Sequence, residues 1–176
     1  MNKHRIFTFI LVLTVLATAF SSQAQTTVYI VRHAEKNMKD PASADPALSI
    51  DGQDRARDLA TLLQPKRLLA AYATNSKSSK LTAEPSAYGH GVKVQVYDPT
   101  DLAEFASTVL RQHTGGAVLI VADLNNVLNM VEAFGIKSTM PPLNADDYNY
   151  LFAVTVNGDS TQLMITQYGK LKKTVK

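Results

Sequence analysis

Residues 27–36 read TVYIVRHAEK. Thr27 to Val31 form a run of β-branched and aromatic residues with no polar break, the pattern of a strand buried on both faces. The run stops at Arg32-His33, with Glu35 and Lys36 just behind. In sheets of alternating strands and helices, ligands bind beyond the carboxyl ends of strands. Arg32 and His33 therefore sit where such a fold does its chemistry. A neutral imidazole can attack phosphorus, and a guanidinium can grip phosphate oxygens through bidentate, charge-assisted bonds. An isolated Arg-His pair is equally well read as a strand end facing solvent, so the rest of the chain has to decide.

Outward from this stretch, strand and helix signals alternate. Ser49 caps a helix whose apolar face is Ala56, Leu59, Ala60, Leu62 and Leu63, and Pro65 stops it. Arg55 and Arg57 read as surface charge on its polar side. Leu68 to Thr74 is a second strand, and a helix from Lys77 to Tyr88 is expected to be interrupted at Pro85. Val92, Val94 and Val96 alternate with polar residues as a half-exposed strand does. Asp101 and Glu104 have the spacing of a capping box before a helix that ends near His113. Ala117 to Val121 (AVLIV) is another buried strand, followed by a helix from about Asn125 to Phe134. Tyr150 to Asn157 and Gln162 to Gln167 flank Asn157-Gly158-Asp159 as a hairpin. Asp146, Asp147 and Tyr148 read as the loop entering it. This alternation predicts an α/β fold, a three-layer sandwich with a mainly parallel central sheet.

The N-terminus is of another kind. Lys3, His4 and Arg5 precede an apolar run from Ile6 to Phe20, and Ser22-Gln23-Ala24 supplies small residues for cleavage before Gln25. Residues 1–24 are thus expected to be a signal peptide, and residues 25–176 one domain, secreted or periplasmic, with no membrane span after cleavage. Removing Lys3 and Arg5 takes two charges from the formal +3 of the full sequence. The remaining basic residues are dispersed apart from a short tail at Lys170 to Lys176, so no nucleic-acid partner is expected. The sequence contains no cysteine, which excludes disulfides and thiol chemistry.

The segment around His33 resembles the signature of the histidine phosphatase (phosphoglycerate mutase-like) superfamily, in which a strand ends in Arg-His-Gly or Arg-His-Ala-Glu. Asp45-Pro46-Ala47-Leu48-Ser49 with Gly52 and Ala56, Tyr72-Ala73-Thr74, Thr82-Ala83, Tyr97-Asp98-Pro99 and Tyr150-Leu151-Phe152 continue the resemblance in matching order. It implies a phosphoglycerate mutase-like sandwich and phosphomonoester hydrolysis through a phosphohistidine. His33 would be the nucleophile, Arg32 and His33 the phosphate ligands, and Glu35 a candidate acid or base. The substrate would be a phosphorylated small molecule or a phosphoprotein, with no cofactor and no metal.

The resemblance also implies a second arginine and a second histidine in the pocket, and at those positions this sequence has Ser78 and Asp123. Lys77 and Lys80 flank the first departure, but neither shares the helical direction of Ser78. The expectation is weak or lost hydrolysis. The alternative is a non-catalytic pseudophosphatase that binds a ligand or protein partner in the cell envelope. Asp123 is further expected to draw Arg32 into an internal ion pair.

Overall fold

Four strands run parallel in the spatial order β3-β2-β4-β1: Thr26–Arg32 (β1), Leu68–Ala73 (β2), Val94–Val96 (β3) and Ala117–Ala122 (β4). On the far side of β1, Tyr150–Asn157 (β5) and Ser160–Gln167 (β6) add an antiparallel hairpin, which makes the sheet mixed. This computed structural model describes residues 25–39 and 43–170. The signal peptide expected at residues 1–24, and the tail beyond residue 170, lie outside the described residues.

Side chains alternate across the strands, so each strand feeds two cores. Val28 and Ile30 of β1 join Val118, Ile120 and Phe152 on one face, where Leu102–Gln112 (α3) and Val127–Ala133 (α4) cover them through Ala106, Val109, Met130 and Val131. Tyr29 and Val31 join Leu119, Val121 and Leu151 on the other, covered by Ile50–Leu63 (α1) and Lys77–Gly89 (α2) through Leu59, Leu63, Ala83 and Ala87. Helices on both faces of one sheet give the three layers expected of an α/β sandwich. Each fully buried Leu, Ile, Val or Phe contributes about 1.5–3 kcal/mol.

Local signals set most boundaries. The Ser49 hydroxyl accepts the Gly52 N–H at the start of α1, and Asp101 accepts the Glu104 N–H at the start of α3. The hairpin turns at Gly158, whose φ is 58°. Two expectations need correcting. The second helix is not interrupted at Pro85, because α2 runs unbroken to Gly89 with Ala83 and Ala87 buried on the sheet. Packing there outweighs the roughly 3 kcal/mol cost of an internal proline. The last helix is shorter than expected: a 3-10 turn over Leu124–Asn126 precedes α4, and neither Asp123 nor Asn126 caps it with a side chain.

One close approach ties α1 to the end of β1. A Cβ added to Gly52 would lie 2.3 Å from the Glu35 carbonyl oxygen and 3.0 Å from its nitrogen, both main-chain atoms that cannot swing aside. Gly52→Ala is expected to destabilise the protein by roughly 1–3 kcal/mol in denaturant unfolding. Gly89→Ala, where a Cβ meets nothing within 4 Å, should stay within about 0.5 kcal/mol of the parent.

Candidate functional site

The parallel ladders run one residue beyond the strands and gather the chemistry at their carboxyl ends. His33 N–H donates to the Ala122 carbonyl at 3.0 Å, Thr74 N–H to Val121 at 3.3 Å and Tyr97 N–H to Ala73 at 3.1 Å. The residues that follow β1, β2, β3 and β4 therefore come together: His33, Thr74, Tyr97 and Asp123.

His33 is buried, with Nδ1 at 2.9 Å from the Ala34 carbonyl oxygen. A carbonyl only accepts, so Nδ1 carries the proton, and a neutral ring then presents an unprotonated Nε2. Burial lowers the imidazole below its ordinary value of 6.5, and the Lys36 and Arg32 charges push the same way, against the Ala34 bond and the Asp123 charge. His33 thus has the tautomer and charge state of a nucleophile.

Arg32 is bound differently from expectation. Its Nη1 donates to the carbonyls of Ala145 at 2.7 Å and Asn144 at 3.3 Å, and its Cζ lies 3.9 Å from the centre of the Tyr148 ring. The expected ion pair with Asp123 does not form. The antiparallel pairing of β5 with β1 delivers the loop before Tyr150 directly onto the guanidinium. Burial lowers the Arg32 pKa, opposed by Tyr148, Glu35 and Asp147. Nε is buried with no hydrogen-bond partner.

Ser78 and Asp123 prove to be linked. Ser78 is fully buried, and its Oγ lies 3.4 Å from Ser76 Oγ. Ser76 donates to Ser79 Oγ at 2.8 Å, Thr74 Oγ1 donates to the same oxygen at 2.8 Å, and Thr74 reaches Asp123 Oδ1 at 3.4 Å. A chain of hydroxyls thus occupies the start of α2 and runs to the carboxylate. No lysine enters it: Lys77 is exposed, and the Lys80 ammonium donates to Asn75 Oδ1 at 3.0 Å. The Lys77 N–H, an open donor at the α2 N-terminus, is taken by the Asp45 carboxylate at 2.9 and 3.0 Å.

Glu35 faces away from this pocket. Its carboxylate takes a fork from Arg55, Nε at 2.9 and 3.0 Å and Nη2 at 2.7 Å. Arg55 Nη1 meets the Tyr168 carbonyl at 3.1 Å. Reading Arg55 as surface charge is therefore corrected: it is 7% exposed and fastens α1 to the end of β1 and to the segment after β6. Helical arithmetic gives the reason, since Arg55 lies four residues before Leu59 and shares its inward face. Burial alone would raise the Glu35 carboxyl, but the Arg55 bonds prevail and hold it below 4.5. A carboxylate kept ionised has no proton to give. Among the described residues no three acidic or histidine side chains are gathered as metal ligands.

A cavity of about 560 Å³ opens beside Asp123, between the ends of β2 and β3. Thr74, Ser76, Tyr97 and Asp98 line it with Asp123, and no lysine or arginine does. The Tyr97 hydroxyl is buried without a partner. Tyr97, Tyr148 and the hydroxyls of Thr74, Ser76 and Ser79 carry no functional signal in the sequence alone. Only the position of Tyr97-Asp98 at a strand end hinted at one.

Comparison with known proteins gives this geometry a frame. The profile of the histidine phosphatase superfamily (branch 1) matches residues 28–115. No curated protein is significantly similar in sequence. Among solved structures, YhfR of Bacillus stearothermophilus superposes with a TM-score of 0.62 at 18% identity over 80% of this chain and 96% of its own. The protein histidine phosphatase SixA complexed with tungstate gives 0.64 at 15% identity, over 80% and 96%. A phosphoglycerate mutase from Bacillus anthracis str. Sterne gives 0.60 at 13% identity, over 82% and 94%. At these identities the likeness is one of fold.

The buried fork between Arg55 and Glu35 is open to measurement. Arg55→Met should cost about 3 kcal/mol at neutral pH, because it strands a partly buried carboxylate. The folded pKa of Glu35 is depressed, so its contribution is complete above the ordinary value of 4.5 and is lost as pH falls through the lowered folded value. Unfolding of the two proteins should therefore converge in stability below that range. A difference that is constant with pH would show that Arg55 acts through packing alone.

Proposed function

This chain belongs to the histidine phosphatase superfamily, and from that premise we propose that it is a member with a dismantled phosphate pocket. Phosphomonoester hydrolysis through His33 is residual, and the working role is the non-catalytic binding of a ligand or partner. The observation that carries this reading is the hydroxyl chain from Ser78 to Asp123, which fills the pocket with neutral donors and an acid where the family places cations.

The residual reaction is simple to write. His33 Nε2 attacks phosphorus as the P–O ester bond breaks, the leaving oxygen takes a proton from solvent water, and a second water then cleaves the P–N bond of the phosphohistidine to give inorganic phosphate and free His33. The nucleophile is in order. What is missing is the electrostatic half of the site. Each preorganised oxyanion donor lost costs about 2.7–4 kcal/mol, or roughly 100- to 1,000-fold in rate. Two losses in one pocket need not add, yet a deficit of thousands-fold follows. An ionised carboxylate about 4 Å from a phosphate charge adds roughly 4 kcal/mol of repulsion at an effective dielectric near 20. Arg32 cannot make good the deficit, since Nη1 already holds two carbonyls. Glu35, ionised against Arg55, does not protonate the leaving oxygen.

The likeness to the tungstate-bound SixA supports a fold suited to oxyanions, and the unpartnered Nε of Arg32 supports a remnant of that capacity here. The basic head, apolar run and small residues of positions 1–24 support a reading of export to the periplasm or beyond the cell. No helix of the described residues is long and apolar enough to cross a membrane.

A phosphatase assay with p-nitrophenyl phosphate, using His33→Ala as the background, tests the proposal. Turnover should be at least about a thousandfold below that of a complete pocket of this fold. Turnover of about 1–1,000 per second that vanishes in His33→Ala would overturn it.

A further inference from the structure

We propose that the cavity beside Asp123 binds a small organic compound through an ammonium group. The inference deepens the reading above, because it rests on this end of the sheet having ceased to serve phosphate.

Charge comes first. Asp123 and Asp98 both line the cavity, no basic side chain does, and among the described residues neither carboxylate takes part in an ion pair. The nearest fixed cation by family position, Arg32, is instead held by the carbonyls of Asn144 and Ala145 and by the Tyr148 ring. Asp98 already accepts the Thr100 N–H at 2.9 Å, whereas among the described residues the only side-chain bond to Asp123 is the long one from Thr74. A half-buried carboxylate so poorly matched gains from a cation.

The second observation is independent of charge. Tyr97 lines the same cavity, is 5% exposed, and has a buried hydroxyl with no hydrogen-bond partner. Buried hydroxyls are nearly always paired, so an orphan in a cavity wall is a polar atom with capacity for a ligand's hydrogen bond. The Asp123 charge reaches this group. An ammonium has three donors and no acceptor, so it can serve the Asp123 carboxylate and the Tyr97 oxygen together.

Shape agrees. The cavity, about 560 Å³, falls in the range of small-molecule sites, roughly 300–1,000 Å³. Val96 and Pro99 give it an apolar wall for a short carbon skeleton. A phosphate would face two carboxylates, and a neutral polyol would leave both without a counter-charge. A bound metal ion would need more ligands than the described residues gather here.

The test is calorimetric titration of the purified protein at low ionic strength with putrescine, with butanediol as its neutral counterpart and vanadate as a phosphate mimic. Putrescine should bind in the millimolar range or tighter, and at least about ten times tighter than butanediol, a gap of about 1.4 kcal/mol. Asp123→Asn, with folding checked by thermal unfolding, should weaken putrescine at least tenfold, and Tyr97→Phe about threefold. Equal affinity for the diamine and the diol, or a folded Asp123→Asn that binds putrescine as the parent does, overturns the proposal. If Asp123→Asn does not fold, Tyr97→Phe decides, and unchanged affinity there overturns it. Tight vanadate binding would instead refute the dismantled phosphate pocket. Binding of neither probe would refute the ammonium site alone.

Discussion

The pairing of β1 with β4 is the constraint on which the rest depends. It holds residue for residue from Thr27 opposite Ala117 to Arg32 opposite Ala122, and the His33 N–H extends it by one bond. Both strands are buried on both faces, so a slip of one residue would turn each core side chain into the wrong layer. The same rigidity fixes His33 beside Asp123. β2 pairs with the other edge of β4 and brings Thr74 to the same level. The site is thus a product of sheet register, with the loop before β5 adding the partners of Arg32.

That register also joins residues 78 and 123 in one hydrogen-bonded network. Thr74, Ser76 and Ser79 lie between them and need a coherent set of donors and acceptors. The chain ends on a carboxylate that can only accept, so the single Thr74 proton is divided between Ser79 Oγ at 2.8 Å and Asp123 Oδ1 at 3.4 Å. A charged arginine introduced at residue 78 would be buried next to that acid and would pair with it internally, leaving nothing for phosphate. A histidine restored at residue 123 alone would face hydroxyls without the second cation. Serine with aspartate is therefore a self-consistent pair, and a mixed pair would be a frustrated one.

Much of this was legible in the sequence because it depends on local chemistry. Strand β1 announced itself by an unbroken apolar run, α1 and α3 by their caps, the hairpin by Asn157-Gly158-Asp159, and the candidate site by the Arg-His step at a strand end. What stayed hidden was long-range. Arg55 looked like surface charge because its partner Glu35 is twenty residues away, although its phase with Leu59 pointed inward. Tyr148 lies in a loop whose placement depends on how β5 docks, so its stacking on Arg32 left no local trace. Pro85 misled because a single-residue propensity was weighed without the sheet that holds α2 in place.

His33 poses the remaining physical question, since its buried ring has the geometry of a nucleophile in what we propose is a dismantled phosphate pocket. Two structural demands account for it without catalysis. The imidazole closes the end of a buried strand, and its Nδ1 proton satisfies the Ala34 carbonyl in a place water does not reach. The same tripeptide supplies Ala34 N–H to Thr82 Oγ1 at 2.9 Å, and Thr82 in turn bonds the Ser78 carbonyl. His33 thus stands at the head of a bonded path that crosses from β1 into α2 and meets the hydroxyl chain. A residue woven into the fold in this way keeps its orientation after the charges around it have changed. The orientation of a nucleophile is therefore weak evidence of turnover, and the cations that would have stabilised the transition state are the better witness.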